Sequence, residues 1–401
     1  MSDGIFAGLK VIDCATYIAA PAAATTLSDF GADVIKVEPI GAGDAFRHSW
    51  KSPGYPPSEW NYNWILESRN KRSIALDLKQ AAAREALYAL VRQTDVFITN
   101  YPPPVRARLG VAYEDLARLN PRLIYAGFTA YGETGPESDK TGFDSTAYWA
   151  RSGLMDLVKP DPDAAPSRSL PGMGDHPSSM GFYGAIVTAL YRRERTGQGG
   201  MVNSSLLANG LWSNGCAVQA RLCHADYKGR PAREHSANAC TNTYQCGDGR
   251  WFMLTLINEA RQWDGLARAL GHPALLEDAR FNNQDARKVN ARALTSLFDE
   301  IFAAKSLAEW RLILDNAKIT FGIVGILADL DDDPQVREAG MVVQMANAPV
   351  ETLMSPFNIL GETKVTPRMP PELGEHGAEI LREAGFDQTA IERMRAAGAL
   401  G

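Results

Sequence analysis

The N-terminal part of the chain alternates between short apolar runs and longer helical patterns. The run Leu9–Asp13 is followed by a small-residue stretch, Ala19–Phe30, then by Gly31 and a second apolar run, Asp33–Val37. Runs of this kind predict strands, the small-residue stretch predicts a helix, and glycine commonly ends a helix. The order strand, helix, strand predicts a βαβ unit, whose strands lie parallel in one sheet.

The alternation continues further along the chain. Residues 80–93 have helical periodicity, Asp95–Thr99 is a β-branched run, a helix is expected around Tyr113–Leu119, and Leu123–Phe128 is again strand-like. Strands that alternate with helices predict an α/β fold with a parallel, Rossmann-like sheet covered on both faces. Ligands of such sheets bind beyond the carboxyl ends of the strands.

The chain has 401 residues, whereas single cores stop growing near about 250 to 300 residues, so more than one domain is expected. After residue 226 the pattern changes, and the Asp248-Gly249 turn before Arg250–Leu256 is typical of a β-hairpin. We predict a large α/β domain whose N-terminal part is 1–225, a small α+β domain at 226–330, and a C-terminal segment at 331–401 that returns to the large domain.

The net charge and the cysteine content limit which binding partners and which cellular compartment are expected. The net charge of −6 gives no general attraction to nucleic acid or to an anionic membrane, and no segment approaches the roughly 20 apolar residues that span a bilayer. The N-terminus lacks the pattern of a secretory signal. Five scattered cysteines form no disulfide framework, so a cytoplasmic protein without nucleic-acid or membrane partners is expected.

Several common kinds of site are not indicated. The six histidines and five cysteines show no metal-ligand spacing, and no Gly-x-Ser-x-Gly elbow is present. Gly41-Ala-Gly43 follows a strand but lacks the third glycine of a dinucleotide fingerprint, so a plain turn is favoured. No metal and no nicotinamide cofactor is predicted.

Two basic clusters are open to two interpretations. Arg47 follows the second strand, and Arg69–Arg72 leads into the third strand-like run. Arginine and lysine suit phosphate groups, but they are also common as solvated surface charge.

One carboxylate, Asp175, lies between a glycine-rich approach and a long helix predicted at 177–195. Aspartate favours the N-cap position and Pro177 suits a first helical turn, so capping alone explains it. A helix N-terminus also favours negative charge, and Gly172 and Gly174 would admit a ligand near the backbone. Asp175 is therefore either a helix cap, a reactive carboxylate, or both.

Several stretches together resemble the class III coenzyme A transferases, the CaiB/BaiF family. The resemblance covers nearly the whole chain and rests on these motifs: Gly8–Asp13, Leu27–Glu38, Asn70–Lys79, Asp95–Asn100, Leu119–Tyr125, Gly132–Pro136, Gly174-Asp175, Arg193–Gly199 and Asp333–Arg337.

The resemblance implies a catalytic role for Asp175, which occupies the position of the family's nucleophile. The carboxylate would attack an acyl-CoA thioester and form an aspartyl anhydride, then an aspartyl-CoA thioester, before CoA passes to a free carboxylic acid. Coenzyme A and acyl-CoA are then substrates, and no prosthetic group is expected. Backbone N–H groups at the glycine-rich helix start are candidate donors to the oxyanion.

The resemblance also implies a CoA-binding site and a quaternary structure. It makes 1–225 the CoA-binding part of the chain and predicts an interlocked homodimer. Its CoA contacts fall on seven residues: Ile18, Leu76, Leu78, Lys79, Asn100, Tyr101 and Arg108.

Departures from the family pattern bear on the reaction and its substrates. The α-methylacyl-CoA racemases of the family use a histidine in a Gly-His-Asp motif, but this chain has Phe143, which cannot accept a proton. Ala19 stands where oxalate-using relatives often carry glutamine, and Pro39 and Glu133 replace a frequent arginine and a common glutamine of the family. The glycine-rich loop of the formyl-CoA transferases is absent before Tyr244, so larger acids are favoured, such as 2-hydroxy acids, aryl acids and C4 to C5 dicarboxylates. CoA transfer is the main expectation; the alternatives are a racemase and a non-catalytic CoA-binding protein.

Overall fold

The computed structural model describes residues 4–225 and 229–401. Its internal contacts divide the chain into two compact units: unit 1 comprises Met1–Met155, Arg168–His224 and Pro334–Gly401, and unit 2 comprises Asp156–Ser167 and Ala225–Asp333. The domain boundary predicted at residue 226 lies outside the described residues.

Unit 1 is built on a parallel six-stranded sheet with the order β3-β2-β1-β4-β5-β6. Its strands are β1 Lys10–Asp13, β2 Asp33–Glu38, β3 Arg72–Ala75, β4 Val96–Thr99, β5 Ile124–Thr129 and β6 Gly200–Ser205. The predicted α/β class with a parallel sheet is confirmed. The chain moves outwards from β1 in one direction and from β4 in the other, so the strand order reverses between these two strands.

Nine helices lie along the described chain up to residue 225. They are α1 Ala19–Asp29, α2 Tyr62–Ser68, α3 Ala81–Val91, α4 Pro103–Leu109, α5 Tyr113–Ala117, α6 Leu154–Leu157, α7 Asp175–Thr196, α8 Leu206–Ser213 and α9 Gly215–Leu222. In addition, Ala45–Lys51 forms a 3₁₀ helix and Asp144–Ala150 forms a π-helical segment. Helices α2 and α4 and the π-helical segment lie in stretches for which no regular element is predicted from the sequence.

The sheet separates two hydrophobic cores because successive strand residues point to opposite faces. Ile12 and Phe97 belong to a core that contains side chains of α3 and of the C-terminal helices. Their neighbours Val11 and Ile98 belong to the other core, with α1 and α7. Helix α1 is rich in alanine, and these small side chains allow α7 to pack closely against it on the same face of the sheet.

In its described residues, unit 2 has an antiparallel three-stranded sheet of order β7-β8-β9 and four helices of its own. Its elements are β7 Thr241–Gln245, β8 Trp251–Thr255, α10 Glu259–Ala269, α11 Gln284–Val289, α12 Ala291–Phe302, α13 Leu307–Asn316 and β9 Phe321–Ile323. The predicted hairpin is formed by β7 and β8, with Gly249 at φ +79° in its turn. Its core is rich in aromatic rings, among them Tyr244, Phe252 and Phe302.

The C-terminal segment packs on the parallel sheet of unit 1. It contains α14 Pro334–Glu338, β10 Val342–Gln344, β11 Glu351–Leu353, α15 Gly377–Glu383 and α16 Gln388–Ala396. The amide of His376 donates to the Ser73 carbonyl and that of Gly401 to the Ala75 carbonyl, so the segment follows the end of β3.

A buried ion pair also holds this segment. Arg69 donates to both carboxylate oxygens of Asp29, at 2.9 and 2.7 Å, and the amide of Ser355 donates to the same carboxylate at 3.1 Å. Both charged side chains are almost fully buried.

No helix in the described parts of the chain is long and apolar enough to cross a membrane.

Replacing Arg69 with methionine tests the buried ion pair. The change leaves the Asp29 carboxylate buried and unpaired, so we expect the free energy of unfolding to fall by about 3 to 5 kcal/mol. The control is Arg122→Met, which removes an exposed arginine of the same unit and should change stability by about 0.5 kcal/mol or less. Urea unfolding measures both; equal losses would contradict the role of the pair.

Candidate active site

Two cavities open at the carboxyl edge of the parallel sheet, both in unit 1. Cavity A has a volume of about 390 Å³, and its walls include Thr16–Ala19 after β1, Asn100–Pro102 after β4, and Asp175. Cavity B, of about 430 Å³, lies beyond β2 and β3 and shares Tyr101 with cavity A. Cavity A therefore lies where the strand order reverses, which is the usual ligand position in open α/β sheets.

Asp175 is the first residue of α7, and the N-cap position belongs to Gly174. The prediction that Asp175 caps the helix is wrong, and the helix begins two residues before the predicted Pro177. The Asp175 side chain is half-buried and lines cavity A. Among the described residues, no hydrogen bond reaches its carboxylate, which leaves its oxygens open to a ligand.

The surroundings of Asp175 disfavour its charge. Burial and then the nearby carboxylates of Asp144 and Glu67 raise the pKa of Asp175 to about 7, although His176 acts in the opposite direction. The helix N-terminus favours the ionised carboxylate, but burial and the two carboxylates oppose it, so the helix terminus alone does not keep Asp175 ionised. Near neutral pH it exchanges between the charged and neutral forms.

Asp144 organises the loop that carries Asp175. Its Oδ2 accepts hydrogen bonds from the amides of Gly172 at 2.8 Å and Gly174 at 3.3 Å. These two N–H groups already have a partner, so the prediction that the glycine-rich helix start supplies the oxyanion donors does not hold for them.

The two glycines of this loop are required by packing. A Cβ at Gly174 would lie 2.7 Å from the Tyr148 ring, and one at Gly172, where φ is +86°, would lie 2.9 Å from the His176 ring. The prediction was that these glycines admit a ligand; the structure shows that they admit neighbouring side chains of the same chain.

Asn100 fixes the loop after β1. Its side chain accepts from the amide of Thr16 at 2.9 Å and donates to the carbonyl of Thr16 at 2.7 Å. Asp44 Oδ1 accepts from the Thr16 hydroxyl at 2.6 Å and from the amide of Tyr17 at 3.3 Å. These bonds hold Tyr17 at φ +65°, in the left-handed region that is uncommon for a tyrosine.

A buried charge cluster, formed by Asp13, Lys36, Asp44 and Lys71, lies beneath this loop. Lys36 Nζ is 2.9 Å from Asp44 and 3.5 Å from Asp13, and it donates to the Ala15 carbonyl at 2.6 Å. Lys71 Nζ lies 2.9 Å from Asp13. Burial alone disfavours the Lys36 charge, but the surrounding carboxylates outweigh it and the pKa of Lys36 is raised. The cluster joins the end of β1 to β2, to the loop after β2 and to the start of β3.

The basic residues considered as phosphate ligands are engaged inside the protein. Arg47 binds Glu38 through two nitrogens, at 2.6 and 2.7 Å, and Arg69 binds Asp29. Arg72 pairs with Asp33 and with two glutamates of α15. They are neither solvated surface charge nor free cations.

The predicted CoA contacts divide between the two cavities. Ile18, Asn100 and Tyr101 line cavity A together with Asp175, whereas Leu76, Leu78 and Lys79 line cavity B. Arg108 lines neither; it is exposed in the last turn of α4, next to Leu109 of cavity B. The structure thus brings six of the seven contacts to two cavities that share Tyr101.

The sequence interpretation missed Glu67 and Tyr17. Glu67 ends a helix that was not predicted, and its carboxylate lies 2.7 Å from His176. Tyr17 faces Phe143 edge-on, with ring centroids 5.6 Å apart, on the wall of cavity A. No local signal in the sequence points to either contact, because each depends on segments that are distant along the chain.

No group of three or more His, Cys, Asp or Glu side chains in residues 4–225 and 229–401 is arranged to hold a metal ion.

Comparisons with known proteins agree with this architecture. The model of CoA-transferase family III matches residues 6–377. The chain is 31% identical over 403 residues to (R)-2-hydroxy-4-methylpentanoate CoA-transferase of Clostridioides difficile, covering 97% of each chain. It is also 31% identical to cinnamoyl-CoA:phenyllactate CoA-transferase of Clostridium sporogenes, covering 97% of this chain and 96% of that one. A crystal structure of a CaiB/BaiF family protein from Brucella suis superposes with a TM-score of 0.85 at 30% identity, over 95% of this chain and 99% of the other.

The raised pKa of Asp175 predicts a measurable effect on stability. The folded state binds this proton more tightly than the unfolded state, in which the pKa is about 3.9, so stability is lost as pH rises from about 4 to about 7. Asp175→Asn removes the loss, and we expect it to stabilise the protein by about 1 to 3 kcal/mol near pH 8 and by much less near pH 5.

Thermal unfolding at the two pH values measures this difference. The control is Asp139→Asn, which removes the same charge from an exposed position of unit 1. A wild-type protein and an Asp175→Asn variant with the same pH dependence would contradict the raised pKa.

Proposed function

The chain belongs to CoA-transferase family III, and on that premise we propose that it moves coenzyme A from an acyl-CoA to a free carboxylic acid with Asp175 as the nucleophile. The observation that carries the proposal is the position of Asp175. It is a half-buried carboxylate on cavity A, at the switch point of the sheet, without a hydrogen bond to its oxygens from the described residues.

The first half of the reaction transfers CoA to the enzyme. A carboxylate oxygen of Asp175 attacks the thioester carbonyl, the C–S bond breaks, and a mixed anhydride and CoA thiolate form. The thiolate attacks the aspartyl carbonyl, the anhydride C–O bond breaks, and the donor leaves as a carboxylate. Asp175 then carries CoA as a thioester.

The second half repeats these steps with the acceptor. Its carboxylate attacks the aspartyl thioester, which releases CoA thiolate and forms a second anhydride. The thiolate attacks the acceptor's carbonyl and restores the Asp175 carboxylate. One thioester is exchanged for another, so no nucleoside triphosphate is consumed.

Cavity B is suited to the nucleotide end of CoA. Leu76 and Leu78 give it apolar walls, Lys79 is exposed at its edge, and Arg108 is exposed beside it. Arg84 donates to the carbonyls of Leu78 and Lys79, at 3.0 and 2.8 Å, and so fixes this segment. In this arrangement the pantetheine arm passes Tyr101, which both cavities share, and delivers the thioester to cavity A.

The walls of cavity A favour an acid with an apolar body. Tyr17, Phe128, Phe143 and Leu206 line it, and they provide apolar area that formate or oxalate does not fill. The two relatives named above act on branched and aromatic 2-hydroxy acids, according to their names. We infer a branched or aromatic monocarboxylic acid for this chain.

We also infer the oligomeric assembly and the cellular compartment. The family resemblance supports a homodimer, with 1–225 and 331–401 as the CoA-binding domain and 226–330 as a small domain. All five cysteines are free, which supports a reducing compartment such as the cytoplasm.

Trapping experiments test the nucleophile. After incubation with cinnamoyl-CoA, hydroxylamine should convert the activated Asp175 to a hydroxamate that peptide mass spectrometry locates. Asp175→Asn and Asp175→Ala should lose transfer by at least about a thousandfold, since removing a covalent nucleophile abolishes its pathway. Asp139→Asn should retain both activity and adduct.

A panel of acids separates the remaining alternatives. Phenyllactate and branched 2-hydroxy acids should accept CoA better than formate or oxalate. Transfer that survives in Asp175→Ala would overturn the nucleophile. Exchange of an α-proton with deuterated water, without acyl exchange, would indicate a racemase, and binding without either reaction would indicate a non-catalytic CoA-binding protein.

Substitutions at cavity B test the CoA contacts. Lys79→Ala and Arg108→Ala should each weaken CoA binding about tenfold, because each removes a charge from the phosphate end, and the loss should shrink at high salt. Arg92→Ala is the matched control, since it removes an exposed arginine at the opposite end of α3. Calorimetry with CoA measures all three; equal losses would show a general electrostatic effect rather than a specific contact.

A further inference from the structure

A buried glutamate contacts the residue that follows Asp175. Glu67, in the last turn of α2, is 2% exposed, and its Oε1 lies 2.7 Å from Nε2 of His176. Within the described residues, His176 is the one hydrogen-bond partner of that carboxylate. A buried carboxylate with a single partner favours the charged imidazolium of that partner, because an unpaired buried charge is costly.

The loop before α7 is shaped around the imidazole. A Cβ on Gly172 would lie 2.9 Å from Cε1 and 3.0 Å from Nδ1 of His176, and Gly172 has a φ of +86°. The ring is thus held between the Gly172 backbone and Glu67. Its side chain keeps 45% of its surface accessible, so it exchanges protons with solvent.

Three charged groups act on Asp175, each from a different element of the fold. Asp144 lies at the start of the π-helical segment, Glu67 comes from α2, and His176 is on α7 itself. Two of them are carboxylates, and His176 is the cation. The Lys71 ammonium reaches the backbone carbonyl of Glu67, at 2.7 Å, and is paired with Asp13.

We propose that Glu67 and His176 form a positioning pair: Glu67 keeps His176 cationic, and His176 holds the Asp175 carboxylate ionised for attack. The inference rests on the proposed role of Asp175 as nucleophile, and it assigns neither residue to contact with the substrate.

The electrostatics of the pair agree with this geometry. Burial lowers the pKa of His176, but the hydrogen bond and the charge of Glu67 outweigh burial, and the pKa is raised. The imidazolium therefore persists to higher pH than in a free histidine, and it offsets the two carboxylates that act on Asp175. Without it, Asp175 keeps its proton to higher pH and the fraction of enzyme ready to attack falls.

The pH dependence of CoA transfer tests the pair. In His176→Asn, the acidic limb of the rate profile should move up by about one pH unit, so the rate near pH 6.5 should fall about five- to tenfold and should largely recover near pH 9. In Glu67→Gln the limb should move up by less, because the loss of the His176 charge is partly offset by removal of the Glu67 charge, which itself raises the pKa of Asp175. His376→Asn is the matched control, because His376 also lies beside a glutamate in unit 1, at 4.0 Å, but lines neither cavity.

The outcomes separate this inference from the proposed function. Hydroxylamine trapping of wild-type enzyme reports on the nucleophile: no adduct on Asp175 would overturn the function itself. An adduct in the wild type together with an unmoved acidic limb in both variants would overturn the pair alone. A rate that falls equally at every pH would also overturn it, since that result indicates a structural role. Glu67→Gln keeps the hydrogen bond while removing the charge, so it decides the question if His176→Asn does not fold.

Discussion

The buried charge cluster of Asp13, Lys36, Asp44 and Lys71 is the constraint on which the site depends. It gathers around Asp13 at the end of β1, with Lys36 from β2, Asp44 from the loop after β2 and Lys71 from the residue before β3, so it joins segments that are widely separated along the chain. Ion pairs of this kind contribute little net stability, but removal of one partner leaves an unpaired buried charge. The cluster therefore specifies one arrangement of the carboxyl edge, and Asp44 extends that order to the loop of Thr16 and Tyr17.

A second set of acidic residues orders the surroundings of Asp175. Asp144 binds the amides of the loop before α7, and Glu67 holds His176 beside Asp175. These carboxylates order the segment around Asp175, and their own charges raise the pKa of Asp175. Groups that order a site and also shift the pKa of a neighbouring carboxylate towards the working pH are typical of catalytic sites.

The sequence predicted most of the regular elements and misplaced parts of the site. Strands β1, β2 and β4 and helices α1, α3 and α7 follow from apolar periodicity, which is a local property. Helix α2 is short and aromatic, and α4 begins within a run of prolines, so neither has a strong periodic signal. The basic residues Arg47 and Arg69 were open to a phosphate role because their carboxylate partners lie elsewhere in the chain.

The sequence by itself determined the parallel α/β class, the family, and the candidacy of Asp175, since these depend on local patterns and on motifs in a fixed order. Only the tertiary structure decided what surrounds Asp175: Glu67, Asp144 and the cavity shared with Tyr101 and Asn100 come from distant segments. Charge interactions act through space, and the ionisation of a carboxylate depends on every group packed around it. The tertiary structure also showed that Gly174, and not Asp175, occupies the N-cap of α7, because the backbone of the loop before the helix is set by its contacts with Asp144 and Tyr148.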